Sequence, residues 1–281
     1  MDYADGNILI LDRMNELASA NPLRAFALDE LLGRNAGSGG PAVCHIWRHT
    51  GAFILGPRDS RLPHAMKAAE QLNERGWATV VRNSGGAAVP LDKGVVNISL
   101  ILPKAGGEGV HFHNEFELMY RLIRDALQET ELPVEKGEIA GAYCPGDFDL
   151  SIDGFKFCGI AQRRQRNAII VQAFIVAAGS GRERAELVRS FYDAASGGDT
   201  ALDYPIVIAD STASLEELAN LGPRAAEAFA SRMKHIIRTS QTPSGLAEAA
   251  SKLRMPGQEE LDAMTAILQN RYSIVESSKR S

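Results

Sequence analysis

Apolar residues along this chain recur at two different spacings, and the points where one spacing gives way to the other mark out its elements. Asn21 before Pro22 reads as a helix N-cap followed by proline at the first helical position. Phe26, Leu28, Leu31 and Leu32 continue the pattern until Gly33, which predicts a helix of about three turns. Pro41 to His49 and Ala52 to Leu55 are apolar, β-compatible runs interrupted by Thr50-Gly51, predicting two short strands joined by a turn. A helix from about Pro63 to Arg75 ends at Gly76, and a strand from Ala78 to Arg82 delivers the chain into Ser84-Gly85-Gly86. The buried-strand pattern from Val95 to Leu102 then places that glycine-rich loop between strands.

Asn114 with Glu117 three residues on has capping-box spacing, and Phe116, Met119, Tyr120, Ile123 and Leu127 recur behind it at helical intervals. Phe148 to Ile152 and Phe155 to Gln162 flank Asp153-Gly154, a pair suited to the positive φ angles of a type I′ turn. They predict a β-hairpin with Lys156 near the start of its second strand. A strand from Ala168 to Ala177, a helix from Glu183 to Ala194 and a short helix capped by Ser214 and Glu217 follow. From Pro223 onward the pattern is helical, with breaks near Pro243 and Pro256. Strands that stop near residue 178 and helices beyond them imply an α+β class. Residues 1–215 are expected to form one domain, with 216–281 a helical segment packed on it.

Composition narrows the partners. The 281 residues are 45% hydrophobic, enough for a sizeable core, and the net charge of −5 gives no global basic field for nucleic acid or a membrane surface. No stretch approaches about 18 consecutive apolar residues. Asp2 and Asp5 stand where a basic leader would be, so a soluble cytoplasmic protein is expected, with neither nucleic acid nor membrane as partner. Cys44, Cys144 and Cys158 are odd in number and widely spaced, which suits neither a disulfide framework nor paired metal ligands.

Each cysteine therefore has to be judged singly. Cys44 sits inside an apolar strand and reads as core. Cys144 lies between Tyr143 and Pro145-Gly146, a loop setting that can face a cleft, and an ammonium close to a thiol favours the thiolate, so Lys156 is its expected partner. Cys158 is the rival nucleophile: two residues from Lys156, it would share that residue's strand face, although Phe157 and Gly159 suit a packing role better. Glycine amides at 85 and 86 can approach a ligand closely, with Arg82, Asp92 and Asn97 offering polar groups to orient it. His111 and His113 with Glu115 and Glu117 look at first like metal ligands, but the capping box draws them apart, and no metal is expected. Arg163, Arg164 and Arg166 form either a solvated strand edge or a docking patch for acidic partners. Gly179-Ser180-Gly181 reads as a linker turn.

Four motifs occur in order: Arg82-Asn83-Ser84-Gly85-Gly86; Asp92-x-Gly94-x-x-Asn97-x-Ser99; Gly141-x-Tyr143-Cys144-Pro145-Gly146-x-Phe148-Asp149-Leu150-Ser151-Ile152; and Lys156-x-x-Gly159-Ile160-Ala161-Gln162-Arg163-Arg164. Over roughly residues 40 to 210 they resemble the lipoate/biotin protein ligase superfamily, and within it the octanoyltransferase branch of Gram-positive bacteria. The resemblance implies the biotin/lipoate protein ligase catalytic fold, a mixed central sheet with flanking helices and a helical C-terminal part. It also implies octanoyl transfer from the glycine cleavage H protein to lipoyl domains of 2-oxoacid dehydrogenase E2 subunits, without a cofactor. Cys144 would be the thioester nucleophile and Lys156 its activator. Substrate contacts would fall to Arg82, Ser84, Gly85, Gly86, Asp92, Asn97, Gly159 and Gln162, with an apolar acyl channel behind Ser84-Gly85-Gly86. Relatives that load the H protein from acyl carrier protein are the main competitor, ahead of ATP-dependent lipoate ligases, which lack a cysteine where Cys144 stands. A non-catalytic protein that binds an acylated carrier domain is the remaining alternative.

Overall fold

The computed structural model describes residues 7–17, 21–104, 114–222 and 224–274. In chain order its strands are β1 (Ile8–Arg13), β2 (Ala42–Trp47), β3 (Ala52–Leu55), β4 (Ala78–Val81) and β5 (Val89–Leu91). The rest are β6 (Val95–Pro103), β7 (Glu135–Lys136), β8 (Leu150–Ile152), β9 (Phe155–Arg164) and β10 (Ala168–Val176). The long apolar runs become the centre of a seven-stranded sheet, ordered β1-β2-β6-β10-β9-β8-β7, in which only the β1–β2 pair is parallel. A second sheet, β4-β3-β5, stands apart. β2 and β3 were expected to form a connected pair, but Thr50-Gly51 instead carries the chain from one sheet to the other, where β3 pairs with β4 and β5. The short strands β5 and β7 carry no pattern long enough to predict, and the edge strand β1, with its apolar run Ile8 to Leu11, was not among the predicted elements.

The helices are α1 (Leu23–Ala36), α2 (Ala65–Glu74), α3 (Asn114–Ala126), α4 (Gly181–Ser196), α5 (Leu215–Ala219), α6 (Ala225–Thr239), α7 (Pro243–Lys252) and α8 (Gln258–Arg271). α1 runs through Gly33, the predicted stop, to a cap at Gly37. Gly33 serves packing instead, because a Cβ there would lie 2.8 Å from the Gln165 side-chain oxygen. The capping box at Ser214 and Glu217 is present at α5, and Pro243 opens α7 at its first turn. Asp153 (φ 51°) and Gly154 (φ 78°) form the predicted tight turn between β8 and β9.

Burial splits along the two faces of the large sheet. One face, with Val43, Trp47, Val95, Ile101, Ile170 and Phe174, packs against α1, α4 and the small sheet. The other, with Cys44, Ile46, Ile98, Leu100, Val171 and Ile175, packs against α3 and α6. Leu261, Met264 and Leu268 of α8 join the first cluster beside α1. The space between α1, the small sheet and the first face is where the predicted chemistry gathers.

Candidate active site

Cys144 lies in the loop that leads into β8, and its backbone is held at φ 49°, a left-handed conformation uncommon for a residue bearing a side chain. Lys156 fixes it there. Its side chain is 1% exposed, and Nζ donates to the carbonyls of Tyr143 (2.8 Å) and Cys144 (2.6 Å) and pairs with Asp149 Oδ2 at 2.7 Å. Asp149 Oδ2 in turn accepts from the Gly146 N–H at 3.2 Å, so one ion pair braces both sides of the Cys144-Pro145-Gly146 turn. Burial raises the Asp149 carboxyl to about 6, outweighing the attraction of Lys156 that pulls it the other way.

The thiol itself faces a different cation. Cys144 Sγ accepts from Arg82 Nη2 and from the Ala87 N–H, each at 3.3 Å. Lys156 was expected to sit on the sulfur; its three protons are instead directed to two carbonyls and a carboxylate, and the guanidinium takes the place beside the thiol. Gly86 permits this approach at φ 94°, because a Cβ there would lie 3.0 Å from Sγ and strike the Arg82 guanidinium.

A register irregularity between β8 and β9 sets the two candidate cysteines in different surroundings. Leu150 pairs with Cys158 while Ser151 pairs with Lys156, leaving Phe157 as an extra residue. Such a bulge breaks the alternation of side chains that a regular strand imposes. Phe157 and Cys158 both enter the far core, whereas Lys156 reaches the near face, 5.6 Å from the centre of the Phe174 ring. The expectation that Lys156 and Cys158 share a face is thereby corrected. Burial holds the Cys158 thiol well above its ordinary value and pushes Cys44 up to about 12, so both stay protonated packing groups.

Behind Cys144 runs a narrow cavity of about 30 Å³, close to the room one water takes up and well below the roughly 300–1,000 Å³ of an open small-molecule site. Phe26, Trp47, Ile54, Val89, Leu91 and Phe174 give it an apolar wall, and Arg82, Asn97, Gly159 and Cys144 also line it. It crosses four strands from β9 to β2, three inter-strand steps of about 4.8 Å, or about 14 Å. Deeper in, Ser99 and Gln172 hydrogen-bond to the buried Asp29 of α1, which also accepts from His45 Nδ1 at 2.8 Å.

Not every predicted contact converges here. Asp92 forms a two-pronged ion pair with Arg184 (2.9 and 2.7 Å) and caps the Gly94 N–H, lining a separate surface depression near Arg48 and Ser180. Gln162 accepts from Arg164 along β9, away from the cavity lining. Ser84 is buried beside the thiol loop, while Gly85 is exposed with open space around it. Arg163 pairs with Glu30 at 2.7 Å, which also accepts from Asn83, so Glu30 ties both β9 and the glycine loop to α1. Gly179 and Gly181 donate their N–H groups to Glu216 and Glu217, as a linker turn would. His111 and His113 lie outside the described residues, and among those described no three or more His, Cys, Asp or Glu side chains are placed to hold a metal.

Three buried acids were missed. Asp29 and Glu30 interrupt the apolar stripe of α1, and a buried charge must be paired, so their position was a usable signal. Asp59 carried none: it accepts from Tyr192, 133 positions away in the chain.

Cys144 lines an apolar cavity on a mixed sheet, and residues 21–236 match the family model of the lipoyl protein ligase A/B catalytic domain. The chain belongs to that family. It is 44% identical over 199 residues, 70% of each chain, to a protein of Exiguobacterium sp. (strain ATCC BAA-1283 / AT1b) named octanoyl-[GcvH]:protein N-octanoyltransferase. An Anoxybacillus flavithermus protein of the same name is 43% identical over 211 residues, 74% of this chain and 76% of its own. The fold is that of a solved lipoate-protein ligase A bound with ATP (TM-score 0.62, 16% identity, 95% of both chains).

Proposed function

We propose that this chain is an octanoyl-[GcvH]:protein N-octanoyltransferase, an acyltransferase of protein lipoylation that takes octanoyl from the glycine cleavage H protein and delivers it to the lysine of E2 lipoyl domains. The observation that carries the reading is the Cys144 sulfur, placed between the Arg82 guanidinium and the Ala87 N–H at the mouth of an apolar cavity. The names of its relatives at 43–44% identity supply the donor.

The thiolate, held by Arg82 and Ala87, attacks the amide carbonyl of the octanoyl-lysine. The C–N bond breaks, the leaving amine takes a proton from water, and octanoyl remains on Cys144 as a thioester. The acceptor lysine, as free amine, then attacks that thioester; the C–S bond breaks, the thiolate is restored, and the proton lost by the new amide nitrogen returns to water. Amide is exchanged for amide, so the overall free energy is close to balanced and ATP is not needed. Lys156 acts through the backbone, holding Cys144 in its strained conformation, while Asp149 fixes the ammonium. The apolar cavity, of about 30 Å³ before it opens, widens to take the acyl chain and recognises it by burial, at about 0.8 kcal/mol per methylene.

Intact-protein mass spectrometry after incubation with octanoylated H protein tests this. An octanoyl increment on wild type, absent from Cys144→Ala and removed by hydroxylamine, is the expected result. An increment from octanoyl acyl carrier protein alone would transfer the donor role, and none from either would remove the thioester mechanism.

A further inference from the structure

The groups that face the Cys144 sulfur sit on a loop with little packing of its own. Gly85 and Gly86 are exposed, and Ala87, which donates to the sulfur, is half-buried. What fixes the loop lies behind it. The Ala88 N–H donates to the Tyr192 hydroxyl at 3.1 Å, and that hydroxyl donates to Asp59 Oδ1 at 2.9 Å. Asp59 Oδ2 accepts from the Gly56 N–H at 2.7 Å, and Gly56 packs so closely on Gly86 that a Cβ would strike the Gly86 carbonyl oxygen. Arg82 closes the circuit from the other side, donating to the Ala87 carbonyl at 2.6 Å with the same Nη2 that reaches the sulfur. Tyr192 and Asp59 are buried, and the hydrogen bonds to the thiol come from Arg82 and Ala87 instead.

We propose that Asp59 and Tyr192 are positioning residues for acyl transfer: through Gly56 and Ala88 they clamp the 84–88 loop so that the Ala87 N–H and the Arg82 guanidinium stay aimed at Cys144. The proposal rests on Cys144 being the nucleophile. A carboxylate, a phenol and a backbone amide joined in series are a costly arrangement for an apolar core, where an aliphatic residue would fill the space without polar atoms to satisfy. Here the series ends one residue from the amide that holds the sulfur.

Tyr192→Phe removes both hydrogen bonds while keeping the ring stacked on Tyr204 at 5.6 Å. Asp59→Asn keeps the shape and removes the charge. For each, single-turnover thioester formation is followed by mass spectrometry across octanoyl H-protein concentrations, and alkylation of Cys144 by iodoacetamide is followed across pH. A misaimed contact near reacting atoms slows the step by about tenfold to a hundredfold, so Tyr192→Phe is expected to lose that much at saturating donor. Half-saturation should stay within a factor of about two, because the clamp lies behind the loop rather than on the donor's path, and the alkylation profile should move to higher pH. Asp59→Asn should change both readings in the same direction by less. Wild-type rates and an unmoved alkylation profile in folded variants, with only the melting temperature lowered, would overturn the proposal. If wild type forms no thioester, the proposed reaction fails, and the alkylation profile alone then decides whether the clamp orders the groups around the sulfur.

Discussion

Replacing Gly159 by alanine tests whether the wall made by Phe174 sets the bore of the acyl cavity. The two residues are register partners on β9 and β10, and both line the cavity. A Cβ on residue 159 would lie 2.5 Å from Phe174 Cε1 and 2.8 Å from Cζ, whereas ordinary contact begins at 3.4 Å. The ring must therefore retreat by about 0.9 Å, since strand pairing holds both backbones in place. Tyr143, fully buried and stacked on that ring at 5.8 Å, blocks one direction, so the cavity takes the displaced ring. If the intrusion excludes two methylenes of the acyl chain, it removes about 1.6 kcal/mol of burial, roughly fifteenfold in binding. Thioester formation with octanoyl and butanoyl H protein at subsaturating donor reads this directly. The octanoyl preference should fall by roughly that factor, with a loss of stability of about 1–3 kcal/mol from overpacking. An equal loss for both chain lengths in a folded variant would refute the reasoning, because it would place Phe174 outside the path of the acyl tail.

Native protein treated with iodoacetamide near neutral pH should take up label at Cys144 and not at Cys44 or Cys158, which are fully buried with thiols held protonated; peptide mapping that finds Cys158 labelled at a comparable rate would contradict the bulge-based assignment. Burial raises Asp149 from 3.8 to about 6, so the native state binds that proton before the unfolded chain does, and the raised group adds stability below about 4 that is lost as pH rises through 6. Relative to Asp149→Asn, wild type should accordingly gain stability as pH falls from about 6 to about 4, and a difference in urea midpoint that stays flat over that window would contradict the shift. Arg184→Met leaves Asp92 without its two-pronged partner and two backbone carbonyls without their donor; a loss of about 3 kcal/mol is expected, read as a lower urea midpoint at unchanged m-value.

The strands that carry the cavity were legible because they are long and buried on both faces: the apolar runs at 95–102 and 168–177 have no other stable use than the centre of a sheet. The partnering of strands was less so. Nothing in Thr50-Gly51 distinguishes a hairpin from a passage between two sheets, and β5 and β7, of three and two residues, are defined by their partners alone. Of the residues the motifs singled out, Cys144, Arg82, Asn97, Gly86 and Gly159 gather around one cavity or its rim.

Where Lys156 and Cys158 lie relative to each other was the part that sequence spacing misplaced. Lys156 and Cys158 differ by two positions, and regular alternation puts them on one face. The single extra residue opposite the Leu150–Ser151 step sends Cys158 into the far core and Lys156 to the carbonyls of the Cys144 turn. That step depends on how two strands register against each other, which the spacing within either one does not contain. Once Lys156 is occupied by carbonyls and by Asp149, the positive charge beside the sulfur has to come from elsewhere, and Arg82, 62 positions earlier in the chain, supplies it. One cation thus shapes the backbone that presents the thiol while the other faces the thiol itself. Exchanging the two residue types should therefore fail in both directions: a lysine at 82 cannot donate to the Ala87 carbonyl and Sγ through one fixed plane, and an arginine at 156 has no room among two carbonyls and a carboxylate in a site 1% exposed.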